Sequence, residues 1–394
     1  MTDYNTQIVE PNDRFSKLAR EICVESFDNS PALTVVRGGG GMRAMDGFRW
    51  NESALRSMID QKVYEVVQSD GAGGKPQFFT LCSTPEAFRK LGWEVITMNA
   101  DDLACRGGLA TMIASSNIDT KAITDKNWPL CDALLHGFGD ALKQSNLVLM
   151  TGETAIMPHC ITAFCDNNSP EQLIMTWNAT CIGLASTEIP ENGTTIEPGM
   201  TIIGFRDEGY RCNGGTQFTN IILETWGDGF NNDVEAARFI NRIVEPSRSY
   251  AGTVSRLNGW RLNGKLRSPL ARLHGAAHIT GGGIWSKLGE ILPPGIGACL
   301  DAMPEPAPVL LEAQYLAEKA GMPMSDYACY GTFHGGCGLM LICKKSDIER
   351  VMVAARADGH DPYVIGSTTD CEKSEITIIS RFAGRSNLSS LRPH

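Results

Sequence analysis

A mixed α/β (α+β) chain of two domains is predicted from three features of the sequence. Its 394 residues exceed what one hydrophobic core usually organises. Short apolar runs alternate with helical patterns, and glycine or acidic clusters stand where those runs end. A stretch rich in Pro, Gly and Thr, Ile189 to Met200, breaks this rhythm near the middle. It sets the expected domains at 1–190 and 191–394.

The elements follow in chain order. Asp13 to Glu25 reads as a polar helix and Leu33 to Val36 as a strand. The glycines Gly38 to Gly41 read as a loop where backbone approaches a ligand, with a plain linker as the alternative. Val63 to Val67 is a strand entering SDGAGGK, Ser69 to Lys75. Residues 85–93 and 98–109 read as helices and Met112 to Ala114 as a short strand. Trp128 to Lys143 is an amphipathic helix, because Leu130, Leu134, Phe138 and Ala141 share one face and Pro129 suits the first turn. The apolar run Leu147 to Met150 leads into GETAIMP, Gly152 to Pro158, and places Glu153 at a strand-to-loop exit. Residues 174–186 read as a buried strand. The second half restarts with strand 201–205, glycine loop 209–215 and helix 216–226. An irregular basic stretch then leads to AHITGGG, Ala277 to Gly283, opening the helix Ile284 to Ile291. Gly335 to Cys343, Tyr363 to Ser367 and Glu375 to Ser380 are strands, and Asp347 to Asp358 is a helix. The strands are expected to be short and often hairpin-like.

Composition narrows the function. A net charge of −10 without a basic stripe argues against nucleic acid or an anionic membrane as partner. The apolar runs are too short to span a bilayer, and the N-terminus lacks a signal-peptide pattern, so a cytoplasmic protein is expected. The 13 cysteines are scattered without a CxxC pair, which suits buried thiols in a reducing compartment better than a zinc or disulfide framework.

The clusters carry the chemistry. In SDGAGGK, Asp70 offers a hard oxygen ligand for Mg²⁺, and Gly71, Gly73 and Gly74 let backbone N–H groups face a phosphate. Lys75 adds a point charge, although the spacing is not that of a Walker A loop. An ordinary Gly-rich turn is the competing reading. Asp101 and Asp102 stand at the head of an expected helix, where carboxylates also simply favour the macrodipole. In AHITGGG, three glycines run into a helix start, which suits an anion, and Thr280 can cap and donate. His278 is a phosphate ligand, an acid–base group or a satisfied buried histidine. Arg211 and Asn213 in GYRCNGG precede a helix and suit a phosphate or an amide. His334 precedes the strand Gly335 to Cys343, where a tight turn with an exposed imidazole competes with a role in the site.

Taken together and in this order, the clusters resemble the phosphoribosylformylglycinamidine cyclo-ligase family, the aminoimidazole ribonucleotide synthetases. The family's DGVGTK is similar to Asp70 to Lys75, its N-D-x-x-x-x-G-A to Asp101 to Gly108, and its GGETAEMP to Thr151 to Pro158. Its SGLHSNG is similar to Glu208 to Gly214, and its AHITGGG is matched without change. Its closing R-T-F-N-x-G-x-G-M resembles Gly331 to Leu339. The resemblance implies an aminoimidazole-ribonucleotide-synthetase-like fold, with N-terminal domains pairing into a β-barrel in a homodimer and a C-terminal mixed sheet with packed helices. It implies ATP, Mg²⁺ and a phosphorylated small-molecule substrate. The implied reaction is ATP-dependent closure of formylglycinamidine ribonucleotide to aminoimidazole ribonucleotide through an iminophosphate. By the same resemblance Asp70, Asp102 and Glu153 hold metal. Asp70, Gly71, Gly73, Lys75, Glu153, Asn213, Thr280, Gly281 and Gly282 surround the nucleotide and phosphates, and His278, Lys75 and Arg211 are the catalytic candidates.

The chain also departs from those motifs. Gly74 replaces Thr, Asp101 replaces Asn, Ile156 replaces Glu, Arg211 replaces His, His334 replaces Asn and Leu339 replaces Met. The family's Y-D-x-x-G acid has no equivalent in Met175 to Asn178, and residues 159–173 form an insertion. The acids on the ATP side are kept better than the substrate-side groups. That leaves open an enzyme of the same superfamily with another acceptor, or a non-catalytic nucleotide-binding paralogue.

Overall fold

The computed structural model describes residues 10–37, 46–60, 63–189, 193–384 and 387–390. The glycine run Gly38 to Gly41 and residues 190–192 of the expected boundary stretch lie outside the described residues. The chain forms two compact units, and neither is one continuous stretch. The first takes Met1–Leu103, Leu109–Ala185 and Arg261–Leu266, and the second takes Ala104–Gly108, Ser186–Trp260 and Arg267–His394.

The first unit carries α1 (Glu10–Glu25), β1 (Leu33–Val36), β2 (Gly47–Trp50), α2 (Glu52–Asp60), β3 (Val63–Gly71) and α3 (Lys75–Cys82). It continues with α4 (Pro85–Leu91), α5 (Glu94–Ala104), β4 (Gly108–Thr120), α6 (Trp128–Gln144), β5 (Val148–Ile156) and β6 (Met175–Ser186). Strands β1 and β2 pair antiparallel, and the main sheet has the order β3-β6-β4-β5. The expectation of short, hairpin-like strands does not hold here. Strand β4 has 13 residues and pairs parallel with β5, Ile113 beside Val148 through Thr120 beside Ile156. A parallel pair needs a crossover, and α6 supplies it. The Leu130, Leu134, Phe138 and Ala141 face of α6 is buried as its periodicity predicts. Phe138 meets Trp177 of β6 edge-on, with centroids 5.0 Å apart, and the Trp177 indole donates to Ser116 Oγ at 2.7 Å. These contacts define the helix-covered face of the sheet. The opposite face carries exposed Thr176, Asn178, Asn117 and Glu153. The insertion 159–173 is packed down. Phe164 meets Phe78 of α3, and Lys121 holds Asp166 at 2.6 Å.

The second unit carries β7 (Thr201–Arg206), α7 (Gly215–Trp226), α8 (Val234–Ile243), α9 (Ala251–Leu257), β8 (Leu273–His278), α10 (Gly283–Ile291) and β9 (Ile296–Leu300). It ends with α11 (Pro308–Lys319), α12 (Asp326–Thr332), β10 (Cys337–Cys343), α13 (Ile348–Ala357), β11 (Pro362–Asp370), β12 (Ile376–Ile379) and β13 (Asn387–Ser390). Its seven-stranded sheet has the order β13-β12-β9-β11-β7-β10-β8 and is mixed, since β12 runs parallel to β9 while the other pairs are antiparallel. All seven residues of β10 and all six of β8 are buried. Strands covered on both faces read as unbroken apolar runs. The basic stretch after α7 is less irregular than its charge suggests. Asp233 caps α8 by accepting from the Glu235 and Ala236 amides.

Two short segments are fastened locally. The Trp260 indole donates to the Gly107 carbonyl at 2.9 Å, and Ser255 Oγ donates to the Gly108 carbonyl at 2.8 Å. The Leu266 amide donates to Ser57 Oγ at 3.3 Å, while Gly264 lies so close to Ala54 that a Cβ would come within 2.7 Å. All 13 cysteines are free, and burial pushes the Cys131, Cys181 and Cys337 thiols up to about 12. Among the described residues, no helix is long and apolar enough to cross a membrane.

His274 of β8 gives the fold a pH dependence. Its Nδ1 lies 3.0 Å from the Thr195 carbonyl and 2.7 Å from Thr195 Oγ1. Burial pushes the imidazole below its ordinary value of 6.5; the Thr195 carbonyl and Glu197 oppose that shift, and Arg272 and Lys344 add to it. With the folded value lowered, the unfolded chain takes up the proton first. The contribution is present above pH 6.5 and is lost as pH falls below it. His274→Asn is therefore expected to flatten the fall in urea-unfolding free energy between about pH 7 and pH 5. An unchanged slope in the variant would remove His274 as the cause.

Candidate functional site

The first unit builds one cluster around the end of β3. The strand runs through Ser69, Asp70 and Gly71, four residues beyond the expected end at Val67, because the Ala72 amide still donates to the Trp177 carbonyl at 3.0 Å. Gly71 is required there. A Cβ would lie 2.3 Å from Asn178 Oδ1, so the amide of Asn178 rests against the strand end. Gly73 turns the chain with φ +55°, and Gly74 leads into α3 at Lys75. Asp70 accepts from the Gly71 amide at 2.7 Å, and its carbonyl accepts from Asn99 Nδ2 at 3.2 Å. Asp102 accepts from Gln68 Nε2 at 2.8 Å. Gln68 and Asp70 are two residues apart on β3 and share its helix-covered face.

Helix α5 starts at Glu94, not near Met98, so Asp101 and Asp102 occupy its last turn rather than its head. The macrodipole disfavours carboxylates at that end. The bland reading of this acid pair as helix-start residues is thereby excluded. Asp101 is buried and Asp102 half-buried.

Lys75 has a partner that the sequence does not reveal. Its side chain is fully buried, and Nζ lies 2.8 Å from Oε1 of Glu94, which is also fully buried. The lysine expected at a phosphate is instead the inner half of an ion pair between α3 and α5.

Glu153 lies elsewhere on the sheet. It is exposed on β5 beside Asn117 of β4, within the strand rather than at its exit. Ser116 faces the helices, so Asn117 and Glu153 face away, opposite to Asp70. Two strands also separate β3 from β5, which sets them roughly 14 Å apart across the sheet. Asp70, Asp102 and Glu153 of one chain therefore do not converge on one ion. Among the described residues, no group of three or more His, Cys, Asp or Glu side chains is placed to hold a metal.

The second unit builds the other cluster. Strands β7 and β8 flank β10 and both run antiparallel to it, so they are parallel to each other and end at the same edge. Three glycine loops meet there: 209–215 after β7, 279–283 after β8 and 331–336 before β10. The Ile279 amide donates to the Gly338 carbonyl at 3.0 Å. His334 is buried rather than exposed. Its Nδ1 accepts from the Gly336 amide at 3.2 Å, which leaves Nε2–H to donate to the Gly209 carbonyl at 2.6 Å. Asn213 donates to the Arg211 carbonyl and lies against Gly281, where a Cβ would be 3.2 Å from Asn213 Oδ1. The starts of α7 and α10 are thus side by side. Thr280 does not cap α10 with its hydroxyl; its carbonyl accepts from the Gly283 amide, and Gly282 takes the cap position with φ +83°. Gly281 and Gly282 are exposed.

Beneath these loops Arg211 is fully buried and paired with Asp207. Its Nη1 also donates to the Arg248 carbonyl at 2.7 Å, and its Nη2 lies 2.6 Å from Nε2 of His278. Tyr250 donates to the Arg206 carbonyl at 2.8 Å, and its ring lies 5.0 Å from the Arg211 guanidinium. Asp207 repeats the signal that singled out Asp70, an acid at the end of an apolar run before a glycine loop. Glu94 and Asn178 carry no such signal, since each is one polar residue in an otherwise ordinary helix or strand.

Comparison with known proteins agrees with this architecture. The N-terminal domain of AIR synthase related proteins matches residues 52–185, and the C-terminal domain of the same proteins matches residues 247–379. A phosphoribosylformylglycinamidine cyclo-ligase of Symbiobacterium thermophilum is 25% identical over 349 residues, covering 87% of this chain and 87% of that protein. One from Geotalea daltonii is 22% identical over 366 residues, covering 92% and 93%. Among solved structures, thiamine-monophosphate kinase from Stenotrophomonas maltophilia has a TM-score of 0.55 at 15% identity, covering 89% of this chain and 92% of that one. Hydrogenase maturation protein HypE in complex with ATP has a TM-score of 0.51 at 16% identity, covering 84% and 85%.

Proposed function

The chain belongs to the AIR synthase related family, and on that premise we propose that it closes formylglycinamidine ribonucleotide to aminoimidazole ribonucleotide, using ATP. The observation that carries this reading is the match, along nearly the whole chain, to relatives named phosphoribosylformylglycinamidine cyclo-ligase. The amide oxygen of that substrate is a poor leaving group. Transfer of the ATP γ-phosphoryl to it gives an iminophosphate and ADP. The neighbouring amidine nitrogen then attacks the activated carbon, the C–O bond breaks, phosphate leaves and a proton is lost.

The residues divide this work between the two clusters. Asp70 and Asp102 are assigned to Mg–ATP. Magnesium is usually held by one or two carboxylates together with substrate phosphates and water, and this pair fits that donor set. A bound ion would offset phosphate charge during transfer. Gly71 and Gly73 keep the turn narrow so that backbone approaches the nucleotide. Asn213, Thr280, Gly281 and Gly282, at the paired starts of α7 and α10, are assigned to a phosphate of the substrate or nucleotide. Glu153 is assigned to the open sheet face, which a second copy covers in a homodimer. Exposed Val67 and the edge positions of β3 and β5 support that pairing, and a sedimentation mass of a single chain would refute it. Arg211 and Ile156, standing where the resembled motifs carry His and Glu, favour a second reading in which the same activation serves another acceptor.

The test is product formation from formylglycinamidine ribonucleotide, ATP, Mg²⁺ and K⁺, with ADP and aminoimidazole ribonucleotide followed together. Equal amounts of both are expected. ADP without the imidazole would transfer the assignment to another acceptor. In the same series, Asp70→Asn is expected to weaken ATP binding roughly tenfold, about 1.4 kcal/mol. Unchanged affinity by calorimetry would remove Asp70 from the nucleotide site.

A further inference from the structure

We propose that Arg211 is a positioning residue that holds His278 as a neutral imidazole with its proton on Nδ1, so that His278 does not serve as a general base through Nε2. A guanidinium carries five N–H donors and no acceptor, and it stays charged. Arg211 Nη2 lies 2.6 Å from His278 Nε2. That nitrogen must therefore accept, and the ring proton resides on Nδ1. Arg211 is fully buried, so it acts on a ligand only through its neighbours.

The surroundings leave the guanidinium little alternative. Asp207 and the Arg248 carbonyl hold Nη1, and the Tyr250 ring lies against the group. Gly338 of β10 lacks a side chain where one would come 2.9 Å from Arg211 Cδ and 2.9 Å from Asp207 Oδ2. The backbone shows the same constraint. Arg211 and Cys212 have φ +56° and +60°, two successive non-glycine residues in the left-handed region. Such a conformation persists where surrounding contacts over-determine it. His278 is the last residue of β8 and precedes the exposed glycines Gly281 and Gly282. Fixing its tautomer fixes which hydrogen bonds the ring offers at the start of that loop.

The part of this inference that concerns catalysis rests on the cyclo-ligase reading; the tautomer does not. Long-range ¹H–¹⁵N spectra of the wild-type protein, with His278 assigned by the signal lost in His278→Gln, are expected to show a pyridine-type Nε2 and a pyrrole-type Nδ1. A protonated Nε2 at neutral pH overturns the proposal without any substrate. Arg211→Lys, whose single ammonium cannot serve Asp207 and His278 Nε2 together, is expected to loosen the tautomer and lower kcat about tenfold, less than the loss of the charge altogether. Arg211→Met is expected to mix the tautomers and lower kcat roughly 30-fold, with the KM for ATP nearly unchanged. A methionine variant that keeps both the single tautomer and the wild-type kcat overturns the positioning role. If no cyclo-ligase turnover is found in any variant, the functional reading fails and the wild-type spectrum still decides the tautomer.

Discussion

Replacing Lys75 with methionine is expected to lower folding stability by about 3–5 kcal/mol, because it takes the ammonium partner away from a carboxyl that is fully buried inside the first unit. The pair itself is a poor source of net stability, since both groups lose their water. Lys75→Met combined with Glu94→Leu removes both charges and is expected to recover most of the loss. Urea unfolding with a constant slope reads both effects. A single variant as stable as the parent would show that the pair is not buried in solution. The double variant also separates two roles for the lysine. With the ammonium turned inward, ATP affinity is expected to stay near the parental value. A tenfold loss would return Lys75 to the phosphates.

Gly283→Ala is expected to be comparably disruptive. Gly283 has φ +60°, and a Cβ there would lie 2.0 Å from the Tyr330 carbonyl oxygen. The left-handed conformation costs about 1–2 kcal/mol for a side-chain-bearing residue. Forcing the α12 backbone aside adds about 1–3 kcal/mol. Gly281→Ala is the control, because its Cβ would meet only Asn213 Oδ1 at 3.2 Å. That variant is expected to fold normally and to bind a phosphorylated ligand less well. Equal melting temperatures for the two alanine variants would refute the packing argument. Two glycines of AHITGGG thus differ in what they meet, with Gly283 packed against the Tyr330 carbonyl and Gly281 exposed.

Much of this was legible from local pattern. The α6 helix, the strand into GETAIMP, and the β8–α10 turn all carry periodicity or glycine punctuation within one short window. Long-range partners were not. Nothing near Lys75 announces that Glu94 will neutralise it, because the pairing arises from how α3 and α5 pack. The start of α5 is hidden from local pattern for a related reason. The helix is buried nearly all round, so it lacks the polar stripe that marks a boundary, and the acids at its end looked like acids at its beginning. A shared metal site of Asp70, Asp102 and Glu153 is what the family resemblance implies. Strand order and side-chain alternation place Glu153 on the other face, which no single segment discloses. His278 could be singled out from its motif, but its tautomer depends on Arg211, 67 positions away.

The interleaving of the two units imposes an order on synthesis. The first unit needs Arg261–Leu266 beside Ala54 and Ser57, yet those residues leave the ribosome after the segment Ser186–Trp260 of the second. The second unit likewise waits with Ala104–Gly108 already made, until Ser255 and Trp260 arrive to hold it. Neither half can therefore finish folding as the chain emerges, as a simple N-to-C series of domains would. A gene cut near residue 190 separates each unit from a piece of itself, and the two products are expected to reach the native state only when made together.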